Sequence, residues 1–203
     1  MLHLNTIDEI THQTLLSFQS KEYLAGFSLV GGTNLSLRFG HRKSIDLDMF
    51  STTPFEPAEI NDLLQVDYNY RYRSNNRYML FSYINNVKTD WVQHPFPLLS
   101  PIEIIDSIRF FSVADVSAMK LFAVTKRGSK KDFFDIYKLS EMEGPKKIVE
   151  YFNQKYGNDK TWMMKMSLVY FEDADTEEDP EILEKGLTWQ KVKNYMAKTF
   201  SPH

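Results

Sequence analysis

The apolar positions change rhythm along the chain. Near the start, Ile7, Ile10, Leu15, Leu16 and Phe18 recur at helical spacing, and Thr6 with Glu9 reads as a T-x-x-E capping box. A short strand follows, Phe27 to Val30, running into Gly31-Gly32, with Thr33 expected to cap a short helix through Leu37 and Phe39. After the loop Gly40-His41-Arg42-Lys43-Ser44, residues 45–50 alternate apolar and acidic or apolar again with period two, as a half-buried strand does. Pro54 and Pro57 open a loop and a helix from Ala58 to Leu64. Three strand candidates come next: Val66 to Arg73, Arg77 to Ile84 and Val87 to His94. Asn75-Asn76 and Asn85-Asn86 separate them, and asparagine tolerates the left-handed conformation of tight hairpin turns. The segment PFPLLSP (95–101) ends this antiparallel meander.

Beyond residue 112 the rhythm is helical. Ser112 and Asp115 resemble a helix start, and Gly128-Ser129 breaks that helix. A second runs from about Lys131 to Leu139, and Gly144-Pro145 starts a third. More fit between Trp162 and Tyr170 and between Thr188 and Phe200. The pattern predicts an α+β protein: a small mixed sheet flanked by helices, then a helical C-terminal half. Residues 1–111 form the expected core and 112–203 the helical region.

Composition narrows the class. The chain has 203 residues, 42% hydrophobic and 25% charged, as soluble globular proteins do. No apolar run approaches the ~20 residues of a membrane-spanning helix, and the N-terminus lacks a secretory pattern. No membrane partner is expected. Cysteine is absent, which excludes disulfides, thiolate metal sites and cysteine nucleophiles and fits a cytoplasmic protein. The net charge of -3 gives no global basic field. Residues 172–181, EDADTEEDPE, hold seven acids and no base. They read as a solvated acidic loop or as a screen over a basic cleft.

The candidate chemistry lies in VGGTNLSLRFGHRKSIDLDMF, residues 30–50. Glycines let a backbone approach a phosphate, and a helix N-terminus offers N–H groups and the positive end of a dipole. Asp46 and Asp48 are two apart on a strand, so both carboxylates face one side. Two acids on one face repel unless cations neutralise them. Magnesium suits carboxylate oxygens combined with substrate phosphates. Asp90, in Val87-Lys88-Thr89-Asp90-Trp91-Val92, shares a strand face with Lys88 and Val92. It could join the metal site or act as general base. Lys120, Lys126, Arg127, Lys130 and Lys131, with Arg38, His41, Arg42 and Lys43, could form a positive wall for a triphosphate or an RNA end.

These residues resemble the DNA polymerase β-like nucleotidyltransferase superfamily, and more closely the AbiEii/AbiGii nucleotidyltransferase toxin family of bacterial type IV toxin–antitoxin and phage-defence systems. The matching stretches are 31–51, 87–99, 116–139 and 171–196. The resemblance implies that Gly31, Gly32 and Thr33 contact the triphosphate of an NTP, together with Arg38. Asp46, Asp48 and Asp90 would be catalytic and bind Mg²⁺ or Mn²⁺. Lys120, Arg127 and Asp132 would line the nucleotide cleft that the helical half completes, with Asp135 in the same K/R-D-x-x-D helix. Lys131 stands where the family often has arginine. Lys120 and Arg127, seven apart, share a helix face if the helix is continuous. The implied function is metal-dependent transfer of NMP to a hydroxyl of RNA, such as a tRNA 3′ end, or of a protein, with a possible cognate antitoxin. The alternatives are a catalytically silent nucleotide- or partner-binding module of this fold and a kinase-like phosphotransferase.

Overall fold

The computed structural model describes residues 1–201. Among these described residues, seven strands form one mixed sheet: β1 (Phe27–Val30), β2 (Leu47–Ser51), β3 (Tyr70–Asn76), β4 (Met79–Ile84), β5 (Val87–Gln93), β6 (Glu103–Ile105) and β7 (Ile108–Phe110). Their order is β3-β4-β5-β2-β1-β7-β6. The β2/β5 and β1/β7 pairs are parallel, and the other neighbours are antiparallel. The α+β class expected from the apolar rhythm is what the chain adopts.

The period-two alternation splits the sheet between two cores. Leu29, Leu47, Met49 and Trp91 point to one face, where they pack with Leu15 and Phe18 of helix α1 (Glu9–Gln19) and with Ile60 and Leu64 of helix α3 (Pro57–Asp67). Val30 points the other way, into a core shared with the helical half. That half comprises α4 (Val113–Val124), α5 (Lys130–Glu143), α6 (Pro145–Tyr156), α7 (Thr161–Leu168), the short α8 (Glu172–Asp175) and α9 (Trp189–Phe200). Helix α2 (Gly31–Phe39) bridges the two, sending Leu35 into one core and Leu37 into the other.

Several local expectations need correction. The cap of α1 is Asp8, whose Oδ1 accepts the Thr11 N–H at 2.7 Å; the Thr6 hydroxyl donates back to the His3 carbonyl within a preceding 3₁₀ turn. Helix α2 begins at Gly31, so Thr33 is inside it and not its cap. Val66 belongs to α3 and not to a strand: Ile60 and Leu64 bury at i, i+4 spacing and carry the helix on to Asp67. The Asn85-Asn86 turn forms with both residues left-handed, φ 52° and 66°. Asn75 and Asn76, by contrast, stay in β3, and Arg77-Tyr78 turn instead, with the Asn76 side chain accepting the Tyr78 N–H at 2.8 Å. Strands β6 and β7 have three residues each, too short for a periodic signal, and turn through left-handed Asp106 and Ser107. The helix starts at Ser112 and Thr188 do form caps, accepting the N–H groups of Asp115 and Lys191.

Candidate active site

Asp48 of β2 lies in register with Asp90 of the parallel strand β5, and both are half-buried. Asp46 lies one residue before β2 and is also half-buried. The chain supplies its own cations to Asp46 and Asp90. Lys88 Nζ is 3.2 Å from Asp46 Oδ2 and 3.9 Å from Asp90 Oδ2. Arg73 donates to Asp90 Oδ1 at 3.1 Å, and Lys131 Nζ is 3.9 Å from Asp46 Oδ2. Burial pushes the Asp48 carboxyl up from its ordinary value; Lys120 opposes this, while Asp90 and Asp46 add to it. Asp90 is also raised by burial, against the pull of Lys88 and Arg73.

The Gly-Gly turn is fitted to Asp48. Gly31 has φ +72°, and a β-carbon there would collide with the Asp48 carboxylate. One on Gly32 would collide with the Arg42 guanidinium. The first turn of α2 follows directly, and no side chain caps it. Thr33 is buried, its hydroxyl bonded to the Ser44 hydroxyl at 2.8 Å and to the Asp46 carbonyl. It anchors the strand entry that carries Asp46, and its hydroxyl is not turned to the cleft. Arg38 is elsewhere. At the far end of α2 it pairs with Glu103 at 2.9 Å, bonds the Phe111 carbonyl and lies over the Phe110 ring, 4.9 Å from its centre. It ties α2 to the β6–β7 edge, which removes it from the expected nucleotide set.

Across the cleft, Lys120 Nζ is 2.7 Å from both Asp132 Oδ1 and Asp135 Oδ2. Arg127 Nε reaches Asp132 Oδ2 at 3.1 Å. Helix α4 ends at Val124, so Lys120 and Arg127 do not share one continuous helix face; they meet on Asp132 instead. Arg42 grips both oxygens of Asp135 at 2.7 and 2.8 Å, and His41 Nε2 lies 2.8 Å from Oδ1. His41 and Arg42 are therefore buried struts and not part of an exposed positive wall. Burial drives Asp132 and Asp135 up, but Lys120, Arg127 and Arg42 outweigh it and hold both below the usual carboxylate range.

Between these walls lies a cavity of about 390 Å³. Gly31, Asp48, Asp90, Lys120 and Arg127 line its charged end; Phe50, Phe96, Met119, Phe122 and Tyr156 line its apolar end. Phe96 meets Tyr156 edge-on at 4.8 Å, and Phe122 stacks on it at 4.5 Å. Phe96 comes from the segment 95–101, which a buried ion pair pins down. Asp115 accepts the N–H groups of Leu99 and Ser100, and Lys155 bonds both Asp115 and the Pro97 carbonyl at 2.7 Å. His94 also lines the cavity. Its imidazole sits among Phe50, Phe96 and Phe111 and is pushed down to about 4 by burial, with Lys155 adding to the effect.

The sequence reading did not assign Lys88, Arg73, His94 or the aromatic end of the cavity to the site. Lys88 had a signal, its shared strand face with Asp90. Arg73 had none, since it arrives from β3, two strands away from β5. The acidic segment 172–181 is stitched to the basic loop beside the cleft. Glu177 accepts the Lys130 N–H at 2.8 Å and the Ser129 hydroxyl at 3.0 Å at the start of α5, and Asp179 pairs with Lys130 at 2.9 Å.

Among the described residues, no group of three His, Cys, Asp or Glu side chains is arranged as a ready metal site. Asp48 and Asp90 nevertheless offer hard oxygen donors in register, which suits magnesium held by one or two carboxylates together with phosphate oxygens. No helix among them is long and apolar enough to cross a membrane.

The fold, a mixed sheet packed against a helical half, is shared with solved structures. JHP933 from Helicobacter pylori superposes with a TM-score of 0.61 at 15% identity, over 97% of this chain and 89% of that one. MenT4, the nucleotidyltransferase toxin Rv2826c of Mycobacterium tuberculosis H37Rv, superposes at 0.58 and 13% identity, over 92% and 78%. ANT(2'')-Ia in complex with adenylyl-2''-tobramycin does so at 0.53 and 15%, over 72% and 95%. The family profile described as nucleotidyl transferase AbiEii toxin, type IV TA system, matches residues 81–201. An uncharacterised protein of Aquifex aeolicus (strain VF5) is 32% identical over 178 residues, 85% of each chain. The chain belongs to the AbiEii nucleotidyltransferase toxin family and is a nucleotidyltransferase.

Proposed function

We propose that the protein transfers a nucleoside monophosphate from an NTP to a hydroxyl acceptor, an RNA 3′ end such as that of tRNA or a protein side chain. In this reading it is the toxin of a type IV toxin–antitoxin or phage-defence system, acting in the cytoplasm and opposed by a cognate antitoxin. The observation that carries the chemistry is the in-register pair Asp48 and Asp90 at the cavity floor, opposite Lys120 and Arg127.

Gly31, Gly32 and the uncapped first turn of α2 receive the triphosphate, helped by the helix dipole. Lys120 and Arg127 lend positive charge from the helical wall, and Asp132 orients both. The apolar end, with Phe96, Phe122 and Tyr156, takes the nucleobase. Asp48 and Asp90, with Asp46 beside them, would hold Mg²⁺ or Mn²⁺, which supplies charge neutralisation at the phosphates. The acceptor oxygen bonds to the α-phosphorus, the bond from that phosphorus to the β-phosphate bridge breaks, and pyrophosphate leaves. Asp90 would take the hydroxyl proton in this reading.

Incubation with each α-labelled NTP, total RNA and magnesium tests the proposal. Label retained on RNA or protein supports it. Transfer from γ-labelled ATP instead would identify a kinase, and nucleotide binding with no transfer of either label would identify a silent binder.

A further inference from the structure

Lys88 precedes Asp90 by two residues on β5, so strand periodicity puts it on the same sheet face. Its ammonium bridges Asp46 and Asp90 at 3.2 and 3.9 Å. Arg73 occupies the other Asp90 oxygen at 3.1 Å. Two of the three acids of the proposed metal face thus already have cations, and Lys88 is shared by both.

The side chain is also free to leave. It is 34% exposed and rides on a flexible stem, so its departure opens no hole in the core. Displacing it costs two ion pairs. A divalent ion that finds only carboxylates recovers part of that cost. One that arrives with a triphosphate recovers more, because phosphate oxygens complete its coordination and give the released ammonium a new partner.

We propose that Lys88 is a resident counter-cation that reserves the gap between Asp46 and Asp90 and makes entry of a divalent ion conditional on a triphosphate. This deepens the transferase reading and rests on it for the triphosphate; the exclusion of the bare ion stands on the geometry of Lys88 alone. Lys88 is a positioning residue in this role. It keeps the acids paired and the site closed to free magnesium until substrate arrives.

The test is thermal unfolding and calorimetry of the full chain with MgCl₂ alone, sodium tripolyphosphate alone, and both. The wild-type melting temperature should ignore millimolar MgCl₂ and rise when both are present. Lys88→Gln should respond to MgCl₂ alone, with affinity about tenfold above wild type, within the usual range of coupling between sites. Lys88→Arg, which keeps the charge, should behave as wild type. Lys88→Gln combined with Asp90→Asn should lose the gained response. Equal magnesium responses in wild type and Lys88→Gln would overturn the proposal, as would a gained response that survives Asp90→Asn. If no variant responds to tripolyphosphate with magnesium or to any NTP, the transferase reading fails, while the MgCl₂ comparison still decides the role of Lys88.

Discussion

Asp48 and Asp90 line the cavity from the sheet, while Asp132 and Asp135 of helix α5 lie buried behind Lys120 and Arg127 of the opposite wall, and burial pushes all four toward the protonated form. The outcome differs because the cations differ. Asp132 and Asp135 are fully buried and share Lys120, Arg127, Arg42 and His41 at 2.7–3.1 Å, and both end up below the ordinary carboxylate range. Among the described residues Asp48 has no ion-pair partner, while Asp90 has only Arg73 at 3.1 Å and Lys88 at 3.9 Å, and both end up above it. The chain satisfies the carboxylates that hold the helical wall in place and leaves the sheet pair short of positive charge. In the proposed function, that shortage is where a divalent ion would be held.

The largest effect is expected for Asp135→Ala. It strands Arg42 and Lys120 in the interior, and losing one partner of a buried ion pair costs about 3–5 kcal/mol. Chemical denaturation should show that loss; a change under 1 kcal/mol would mean the network is solvated. Asp48→Asn should do the opposite. Transfer activity should fall by about 10²–10³, the scale for losing one electrostatic element of a reaction site, while the melting temperature at neutral pH holds or rises. A less stable Asp48→Asn protein would place Asp48 with the structural set.

Acid titration sharpens the contrast. A carboxyl raised in the fold binds more protons folded than unfolded, so its unfavourable contribution grows as pH climbs from the ordinary value of 3.8 through the raised one. The stability gain of Asp48→Asn should therefore be present at pH 7 and vanish below about pH 4. For Asp132 and Asp135 the sign reverses: their contribution is present above 3.8 and is lost as pH falls through the lowered values. His94 adds a separate arm. It is neutral in the fold down to about 4, while the unfolded chain takes a proton near 6.5. Wild-type stability should thus fall between pH 6.5 and 4, and His94→Gln should flatten that slope. The smallest expected effect is at Glu177→Gln, which weakens the anion at the start of α5 by about 0.3–1 kcal/mol and should be visible only as a small shift in melting temperature.

How far the site was legible follows the same division. Asp48 beside Asp90 could be read because strand periodicity is local and a neighbouring strand was already in view, whereas Asp46 lies one residue before β2 and outside the cavity lining. The two glycines were read as a phosphate cradle, while the geometry adds a reason nearer home, the room that Asp48 needs. Arg38, His41 and Arg42 misled because charge in a sequence carries no direction; here α2 and the following loop turn them toward Glu103 and Asp135. Asp132 and Asp135 are read from the sequence as part of the nucleotide cleft, whereas their i, i+3 spacing on one helix lets both reach Lys120 and makes them its supports. The β6–β7 hairpin and the seating of 95–101 depend on long-range contacts to α1, α4 and α6, which no local window contains.

Asp48 and Asp90 are neighbours in space but lie on opposite sides of the Arg77-Tyr78 turn, which joins two strands at an edge of the sheet. Exposed turn tips tolerate a broken backbone. A cut there leaves fragments 1–77 and 78–203, the first holding Asp46, Asp48 and the glycines, the second holding Asp90, Lys120 and Arg127. Neither owns a whole cavity. Such a pair would make a split reporter, silent when the pieces are apart and signalling only when fused partners bring β2 and β5 back into register.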